Sequence, residues 1–222
     1  MPISSCSLRL DNEDVRVAVG LRLGTALCKP HLCPCGAMVD VSGTHGLSCK
    51  KGQGKYARHS FINDIICRSL ARADIQCVKE PAGLSRLDGK RPDGLTLIPW
   101  KLGKCAVWDV TIADTTAISY SSVSSLSAGN VAELAANKKH GKYTDLAKTH
   151  HFVPIAMESL GPFCSEAVTF LKELGRRMTM ATADVRETSH LFQRLSVAIQ
   201  HYNRVLFRSS FISDVFDDDN YI

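Results

Sequence analysis

The sequence has no long hydrophobic run and no export signal. Its longest apolar runs are far shorter than the roughly 18 residues that a membrane span requires. The N-terminal "MPISSCSLRLDNEDVRVAVG" also lacks the basic-then-apolar order of a secretory signal. We therefore expect a soluble intracellular protein with no membrane partner. Internal repeats are lacking too, and 222 residues, 45% of them hydrophobic, can form one sizeable core with at most a small appended module.

A large excess of charge is also absent, because the net charge is only +5. Its distribution is uneven, since residues 50–104 hold twelve Lys or Arg against five Asp or Glu. This segment, which begins with Lys50, Lys51 and Lys55, is a candidate for contact with DNA phosphates. A solvated basic surface would have the same composition. The C-terminal "SDVFDDDNYI" is acidic, and we expect residues 209–222 to form a disordered tail.

The nine cysteines, an odd number in a chain without an export signal, favour reduced thiols and a metal site over disulfides. The stretch "CPCGAMVDVSGTHGLSC" supplies three thiolates and one imidazole, a complete tetrahedral set for structural zinc: Cys33, Cys35, His45 and Cys49. Cys28 and His31 are close enough in sequence to replace one ligand. The alternative is a loop of free thiols, although the segment has almost no apolar residues to hold it together. We predict a zinc knuckle over residues 31–54.

Hydrophobic periodicity divides the remainder into helices and strands. The predicted elements are a helix at 56–73, strands at 75–81, 91–98 and 104–114, a helix at 129–150 loosened at Gly141, a strand at 151–161, and helices at 165–183 and 187–207. This order predicts an α/β fold with a mixed central sheet, a hairpin turning at "PWKLGK", helices on both faces and two long C-terminal helices. Residues 55–208 would form this domain, and residues 1–30 would be a linker that looks like the end of something longer.

Two aspartates interrupt predicted strands. Asp93 follows Arg91-Pro92 at the start of one strand, and Asp109 lies within the next, on the same face as Val107. Across the hairpin the two carboxylates could approach each other, which is costly unless a cation binds them. Oxygen ligands of this kind favour Mg²⁺ or Mn²⁺, with Glu80 as a third carboxylate. The alternative is a turn residue at 93 and a structural ion pair at 109, with Arg91 or a lysine as partner.

The helix that follows adds positive charge. Lys139, Lys142 and Tyr143 are spaced at i, i+3 and i+4, so they share one face. If that face packs beside the strand of Asp109, a lysine could stabilise the charge on an attacked phosphate. Otherwise it is a solvated basic surface.

Taken together, the motifs C-x-C-x9-H-x3-C, "RH", "RPD", "WDVT" and K-x-x-K-Y resemble the C-terminal part of non-LTR retrotransposon proteins. In those proteins a zinc knuckle precedes a restriction-like, or PD-(D/E)xK, endonuclease. The resemblance implies a restriction-endonuclease-like fold and assigns the metal to Asp93 and Asp109, the lysine motif to Lys139, Lys142 and Tyr143, and the basic motif to Arg58 and His59. It also implies a nuclear protein that nicks target DNA to prime reverse transcription, with element RNA as a second candidate partner.

The chain departs from that pattern at Thr111, where the wider superfamily usually has its lysine, and at Ser60, where the retroelement pattern tends to have Asn. It also lacks a stretch that resembles reverse transcriptase. The leading hypothesis is a Mg²⁺-dependent DNA endonuclease in which Arg58, His59 and Arg91 hold the DNA backbone. The alternatives are a catalytically inactive, zinc-containing DNA-binding module and a resolvase-like nuclease that acts on branched DNA.

Overall fold

The computed structural model describes residues 9–52, 54–85 and 89–212. Its helices are α1 Asn12–Leu23, α2 His45–Ser48, α3 Gly54–Arg72, α4 Ser121–Ser124, α5 Asn130–Lys142, α6 Thr144–Thr149, α7 Ser165–Thr182 and α8 Glu187–Arg208. Its strands are β1 His31–Leu32, β2 Met38–Val39, β3 Cys77–Lys79, β4 Gly94–Lys101, β5 Lys104–Ala113 and β6 His151–Glu158. Within these described residues, every helix is too short or too polar to cross a membrane.

The central sheet has four strands in the order β3-β4-β5-β6. β3–β4 and β4–β5 pair antiparallel, whereas β5 and β6 run parallel. The parallel pair requires a crossover, which α4, α5 and α6 provide. The predicted mixed α/β sheet with flanking helices and two long C-terminal helices is therefore confirmed.

The hairpin between β4 and β5 is tighter than the predicted turn at "PWKLGK". Only Leu102 and Gly103 form the turn, with φ of 50° and 74°, as a two-residue hairpin of the I′ type requires. Pro99 lies within β4. It is tolerated there because β3 pairs only with residues 94–96 of β4, so the Pro99 position needs no hydrogen bond to that neighbour.

The helix predicted at 129–150 is broken at Tyr143 and not at Gly141. α5 continues through Gly141 to Lys142, and α6 begins at Thr144. The helical conformation ends at Tyr143, which has φ of −115° and ψ of 28°. The break directs the Tyr143 side chain towards β5, where its hydroxyl bonds to Asp109.

The main core includes the face of β5 that carries Trp108. Ala106, Trp108 and Val110 of β5 belong to a single buried cluster with residues of α3, α5, α7 and α8. The opposite face carries a smaller cluster formed by Val107, Phe152 and Tyr143, which Leu146 of α6 partly covers. Side chains of β5 thus alternate between the two faces as predicted.

The prediction of a linker over residues 1–30 is wrong for its described part. α1 and the segment after it share a second core with the knuckle and α8, which contains Val17, Leu21, Leu27, Cys28, Leu47, Leu206, Phe207 and Phe211. Arg204 and Arg208 of α8 form ion pairs with Asp14 and Glu13 of α1. The packing partner of α1 lies at the other end of the chain, so local periodicity could not predict this contact.

The predicted acidic tail, residues 209–222, is only partly described. Ser210 and Phe211 are buried, and the ring of Phe211 stacks on His31 at 4.0 Å between centroids. Residues 213–222 lie outside the described residues, as do residues 1–8 of the segment predicted as a linker.

Candidate active site and metal centre

The two strand aspartates meet in one cavity of about 370 Å³, which we call the carboxylate cleft. It is lined by His59, Glu80, Gly89, Lys90, Arg91, Asp93, Asp109, Lys139, Lys142 and Tyr143. Asp93 lies just before β4, and its N–H donates to the carbonyl oxygen of Trp108 at 2.9 Å. Since Asp109 follows Trp108 in β5, this ladder bond brings the two carboxylates side by side.

Asp93 is held by hydrogen bonds to both its side chain and its backbone. Its Oδ2 accepts from His59 Nε2 at 3.0 Å and from the N–H of Val110 at 2.5 Å. The bond to Asp93 raises the pKa of His59 above its usual value, because a carboxylate favours the imidazolium. Within the described residues, Oδ1 of Asp93 accepts no hydrogen bond, so it is available to a ligand.

Asp109 is almost fully buried, with 5% of the residue exposed. The ammonium of Lys139 forms an ion pair with Oδ1, and the hydroxyl of Tyr143 donates to Oδ2 at 2.6 Å. Burial raises the pKa of Asp109, and the charge of nearby Asp93 adds to this effect, whereas Lys139 and Tyr143 oppose it. Lys139 and Tyr143 therefore favour the ionised carboxylate against the cost of its burial.

The lysine beside Asp109 belongs to α5, and Thr111 lies two residues after Asp109 in β5. Lys139 and Tyr143, spaced i and i+4, both contact Asp109. Lys142 lines the cleft beside them.

Glu80 and Arg91 bond to each other at the rim of the cleft and not to the aspartates. Arg91 Nη2 donates to Glu80 Oε2 at 3.1 Å, and both side chains are well exposed. Glu80 follows β3 with φ of 44°, so the chain turns there and directs its carboxylate outwards. The structure does not bring the predicted third carboxylate to the pair formed by Asp93 and Asp109.

Arg58, which was predicted to hold the DNA backbone, is buried, with 4% of the residue exposed. Its Nη1 donates to Oδ1 of Asn203 on α8 at 3.2 Å. Burial lowers the pKa of Arg58 to about 10. Helix α3 packs against α7 and α8 as well as the sheet, and this packing encloses Arg58.

Asn63 is a supporting residue that the sequence interpretation missed. Its Oδ1 accepts from Trp108 Nε1 at 2.8 Å, and its Nδ2 donates to the carbonyl oxygen of Asp93 at 3.2 Å. It therefore couples the core tryptophan to the backbone of the cleft. The available signal was a polar residue adjoining the apolar stripe of Ile62, Ile65 and Ile66.

The four predicted zinc ligands form one group that could bind a metal such as zinc, which we call the Cys/His cluster. The ligand atoms of Cys33, Cys35, His45 and Cys49 all lie within 4.8 Å of one another. Sγ of Cys33 and Cys49 are 3.7 Å apart, and Sγ of Cys35 is 3.2 Å from Nε2 of His45. A hydrogen bond from the N–H of Ala37 helps lower the pKa of Cys35 to about 6. Among residues 9–52, 54–85 and 89–212, this is the only such group of three or more Cys, His, Asp or Glu residues.

Cys28 and His31, the alternative ligands, are engaged elsewhere. The Cys28 thiol is buried and donates to the carbonyl oxygen of Asp40 at 3.4 Å. His31 Nε2 is 3.1 Å from the hydroxyl of Ser210, and its ring stacks on Phe211. Both residues therefore stabilise the second core and are not part of the Cys/His cluster.

The three lysines predicted to contact DNA have different surroundings. Lys50 is exposed, whereas Lys51 and Lys55 donate to carbonyl oxygens of the knuckle, those of Pro34 at 3.3 Å and Ser48 at 2.8 Å. Burial lowers the pKa of Lys55. Lys55 also lines a cavity that adjoins the carboxylate cleft.

Comparison with known proteins assigns no family to the chain. Neither any protein-family model nor any curated protein matches the chain. The resemblance to retrotransposon endonucleases therefore stays a prediction that depends on the motifs and on the geometry of the cleft.

Proposed function

We propose that the chain is a metal-dependent DNA endonuclease of the restriction-like kind, derived from a retrotransposon protein. The observation that carries the proposal is the surroundings of Asp109. This buried carboxylate accepts from Lys139 and Tyr143 in a cleft that also holds Asp93. Two adjacent carboxylates beside a lysine form the arrangement that hydrolysis of a phosphodiester needs.

The carboxylates have the donor chemistry for Mg²⁺ or Mn²⁺. Asp93 and Asp109 would hold the ion, because Mg²⁺ in proteins is often bound by one or two carboxylates, with waters and substrate phosphate completing its shell. Glu80 is not needed for such a site, which agrees with its pairing to Arg91. When bound, the ion would supply an acidified water and a charge that neutralises the phosphate.

The remaining groups in the cleft have separate roles in this proposal. Lys139 stabilises the negative charge that develops on the attacked phosphate, since its ammonium is already held beside Asp109. Tyr143 and His59 are positioning residues, because each holds one carboxylate in place through a hydrogen bond. Arg91 and Lys142 at the rim are available to the DNA backbone.

In the same proposal the Cys/His cluster binds structural zinc. Three thiolates and one imidazole complete a tetrahedral shell with no open position for chemistry. The knuckle also packs closely on α8, since a Cβ on Gly46 would lie 2.6 Å from the carbonyl oxygen of Leu206. Zinc would therefore hold a wall of the nuclease in position. DNA as partner, a nuclear location and an origin beside a reverse transcriptase follow from the motif resemblance.

The test is nicking of duplex DNA by the full chain with added Mg²⁺. Asp109→Asn should abolish nicking, and Lys139→Met should slow it by about 100-fold or more, as loss of one electrostatic group does at comparable sites. Asp145→Asn and Lys148→Met are the matched controls, since both residues are exposed and pair with each other on α6. Thermal melting checks that each variant is folded.

Two results would contradict the proposal. Nicking that persists in excess EDTA would exclude the metal mechanism. Full activity of Asp109→Asn would exclude the carboxylate cleft as the site of cleavage. Salt-dependent DNA binding by the native chain without any cleavage would instead support the inactive DNA-binding module.

A further inference from the structure

A second cavity of about 530 Å³ adjoins the carboxylate cleft and shares His59, Lys139 and Lys142 with it. We call it the basic pocket. Its walls come from α3, the C-terminal half of β5, α5 and the knuckle. Its volume is in the range of sites that enclose small organic ligands. A ligand in the basic pocket would therefore lie directly beside the two aspartates.

The basic pocket is strongly cationic. Five lysines and arginines line it, namely Lys55, Arg58, Lys138, Lys139 and Lys142, whereas Asp114 is the one carboxylate among its described lining residues. All five of these cations come from two helices that contribute to the pocket walls, α3 and α5. This charge favours an anionic ligand.

The floor of the pocket contains buried polar groups whose hydrogen bonds are incomplete. Arg58 bonds to Asn203, but within the described part of the chain its Nε has no hydrogen-bond partner. Oδ2 of Asp114 is likewise without a partner among these residues. A buried donor without an acceptor costs free energy. The guanidinium that carries this Nε lines the basic pocket, and its charge favours an anion there.

One side of the pocket is apolar and aromatic. Val110, Ile112 and Ala135 contribute aliphatic surface, and Tyr120 contributes a ring over which the ammonium of Lys138 lies, 5.0 Å from the ring centroid. Aromatic rings of this kind stack on nucleobases of any sequence. Cationic and aromatic walls in one cavity match the phosphate and the base of a nucleotide.

We propose that the basic pocket accepts one unpaired nucleotide of the DNA, adjacent to the phosphodiester held at Asp93 and Asp109. The proposal deepens the proposed function and rests on it in one respect, that the bound DNA is the DNA that is cleaved. A paired base can enter such a cavity only after it is unpaired and unstacked, and the free-energy cost of this step is lowest for a base that is mismatched or already unpaired. The preferred substrate is therefore a duplex with an extrahelical or mismatched nucleotide at the cleavage position.

The rim of the pocket carries a feature suited to such a substrate. Ile118 is 93% exposed and Met38 of the knuckle is 69% exposed. Both line a small cavity that shares Ala117 and Ser48 with the basic pocket. Exposed apolar side chains of DNA-binding proteins insert between base steps and unstack them. Ile118 and Met38 would occupy the space between the unstacked bases beside the displaced nucleotide.

The experiment compares binding of the full chain to two duplexes that differ only in one bulged nucleotide. It is done without added divalent metal, so binding is measured independently of cleavage. We expect about tenfold tighter binding to the bulged duplex, a value typical of one stacked base. 2-Aminopurine at the bulge should lose fluorescence on binding.

Tyr120→Ala should remove most of this preference, whereas Tyr56→Ala should keep it, because Tyr56 is an 89% exposed tyrosine outside the pocket. Ile118→Ser should reduce the preference without affecting folding, since Ile118 makes little contact with the core. Ile118→Ser therefore tests the pocket assignment if Tyr120→Ala fails to fold.

Equal affinity for the two duplexes would overturn the pocket assignment, even if the chain nicks DNA normally. A preference for the bulged duplex that is unchanged in Ile118→Ser and in any folded Tyr120→Ala would overturn it as well. Preferential binding to the bulged duplex without any cleavage in Mg²⁺ would overturn the proposed activity and support the pocket.

Discussion

Tyr143→Phe would remove one hydroxyl group from the carboxylate cleft and leave the ring in place. The hydroxyl lies 2.6 Å from Oδ2 of Asp109 and 3.1 Å from the carbonyl oxygen of Arg91, and its single proton is best placed for the shorter contact. The ring packs on Phe152 at 4.8 Å between centroids, and the variant keeps this packing. A hydrogen bond to a charged group contributes about 1.5–3 kcal/mol. We expect the free energy of unfolding to fall by about this amount at neutral pH.

The loss should depend on pH. Burial raises the pKa of Asp109 and the Tyr143 hydroxyl opposes that rise, so the variant should raise the pKa further. A carboxyl whose folded-state pKa is raised contributes stability below its unfolded-state pKa, and this contribution is lost as the pH rises through the folded-state pKa. The variant should therefore lose more stability with rising pH than the native protein, and the difference between them should shrink in acid.

Urea unfolding at about pH 4.5 and about pH 7.5 measures both effects. Tyr56→Phe is the control, because this exposed tyrosine should change stability by no more than about 0.5 kcal/mol. A loss no larger than that of the control, or one that is equal at the two pH values, would refute the assignment of the bond to an ionised Asp109.

Three further predictions concern packing, charge and metal. Gly94→Ala should destabilise the fold by about 1–3 kcal/mol in urea unfolding, because its Cβ would lie 2.0 Å from the ring of Trp108. The matched Gly141→Ala, in a helix with open space around it, should stabilise by about 0.5–1 kcal/mol; equal effects would exclude the clash. His59→Gln should lower stability more at about pH 6 than at about pH 8. The pKa of His59 is raised in the folded protein, so its bond to Asp93 stabilises the fold below the unfolded-state pKa, and this stabilisation is lost as the pH rises through the folded-state pKa. A loss of stability that does not depend on pH would contradict this. Zinc chelation should lower the melting temperature measured by circular dichroism, because the Cys/His cluster and α8 share a packed interface, and an unchanged melting curve would argue against a bound metal.

Local patterns in the sequence were sufficient for the main helices and strands of residues 55–208 and for several of their faces. The alternation of β5 predicted that Asp109 shares a face with Val107, and the spacing of Lys139 and Tyr143 predicted their common direction. Cys/His spacing likewise predicted the four members of the Cys/His cluster. These features could be predicted because each depends on the repeat of a single element or on one short loop.

Other features depended on which neighbour each element meets. Arg58 is enclosed because α8 covers that side of α3, and Glu80 is turned outwards to Arg91 by a backbone conformation with positive φ. Both had been predicted to have direct roles, one at the DNA backbone and the other at the metal. Periodicity gives the direction of a side chain on its own helix or strand, but not the surface that it meets.

The sequence by itself determined the order of the main helices and strands, the pair of strand aspartates and the members of the Cys/His cluster, since local periodicity and residue spacing encode them. Only the tertiary structure decided that α1 and the knuckle pack on α8, and that Asn63 connects Trp108 to Asp93. It also decided that a basic, aromatic-walled pocket opens beside the carboxylates. These features join residues far apart in the chain, and burial and hydrogen bonding select such contacts only once the whole core has assembled.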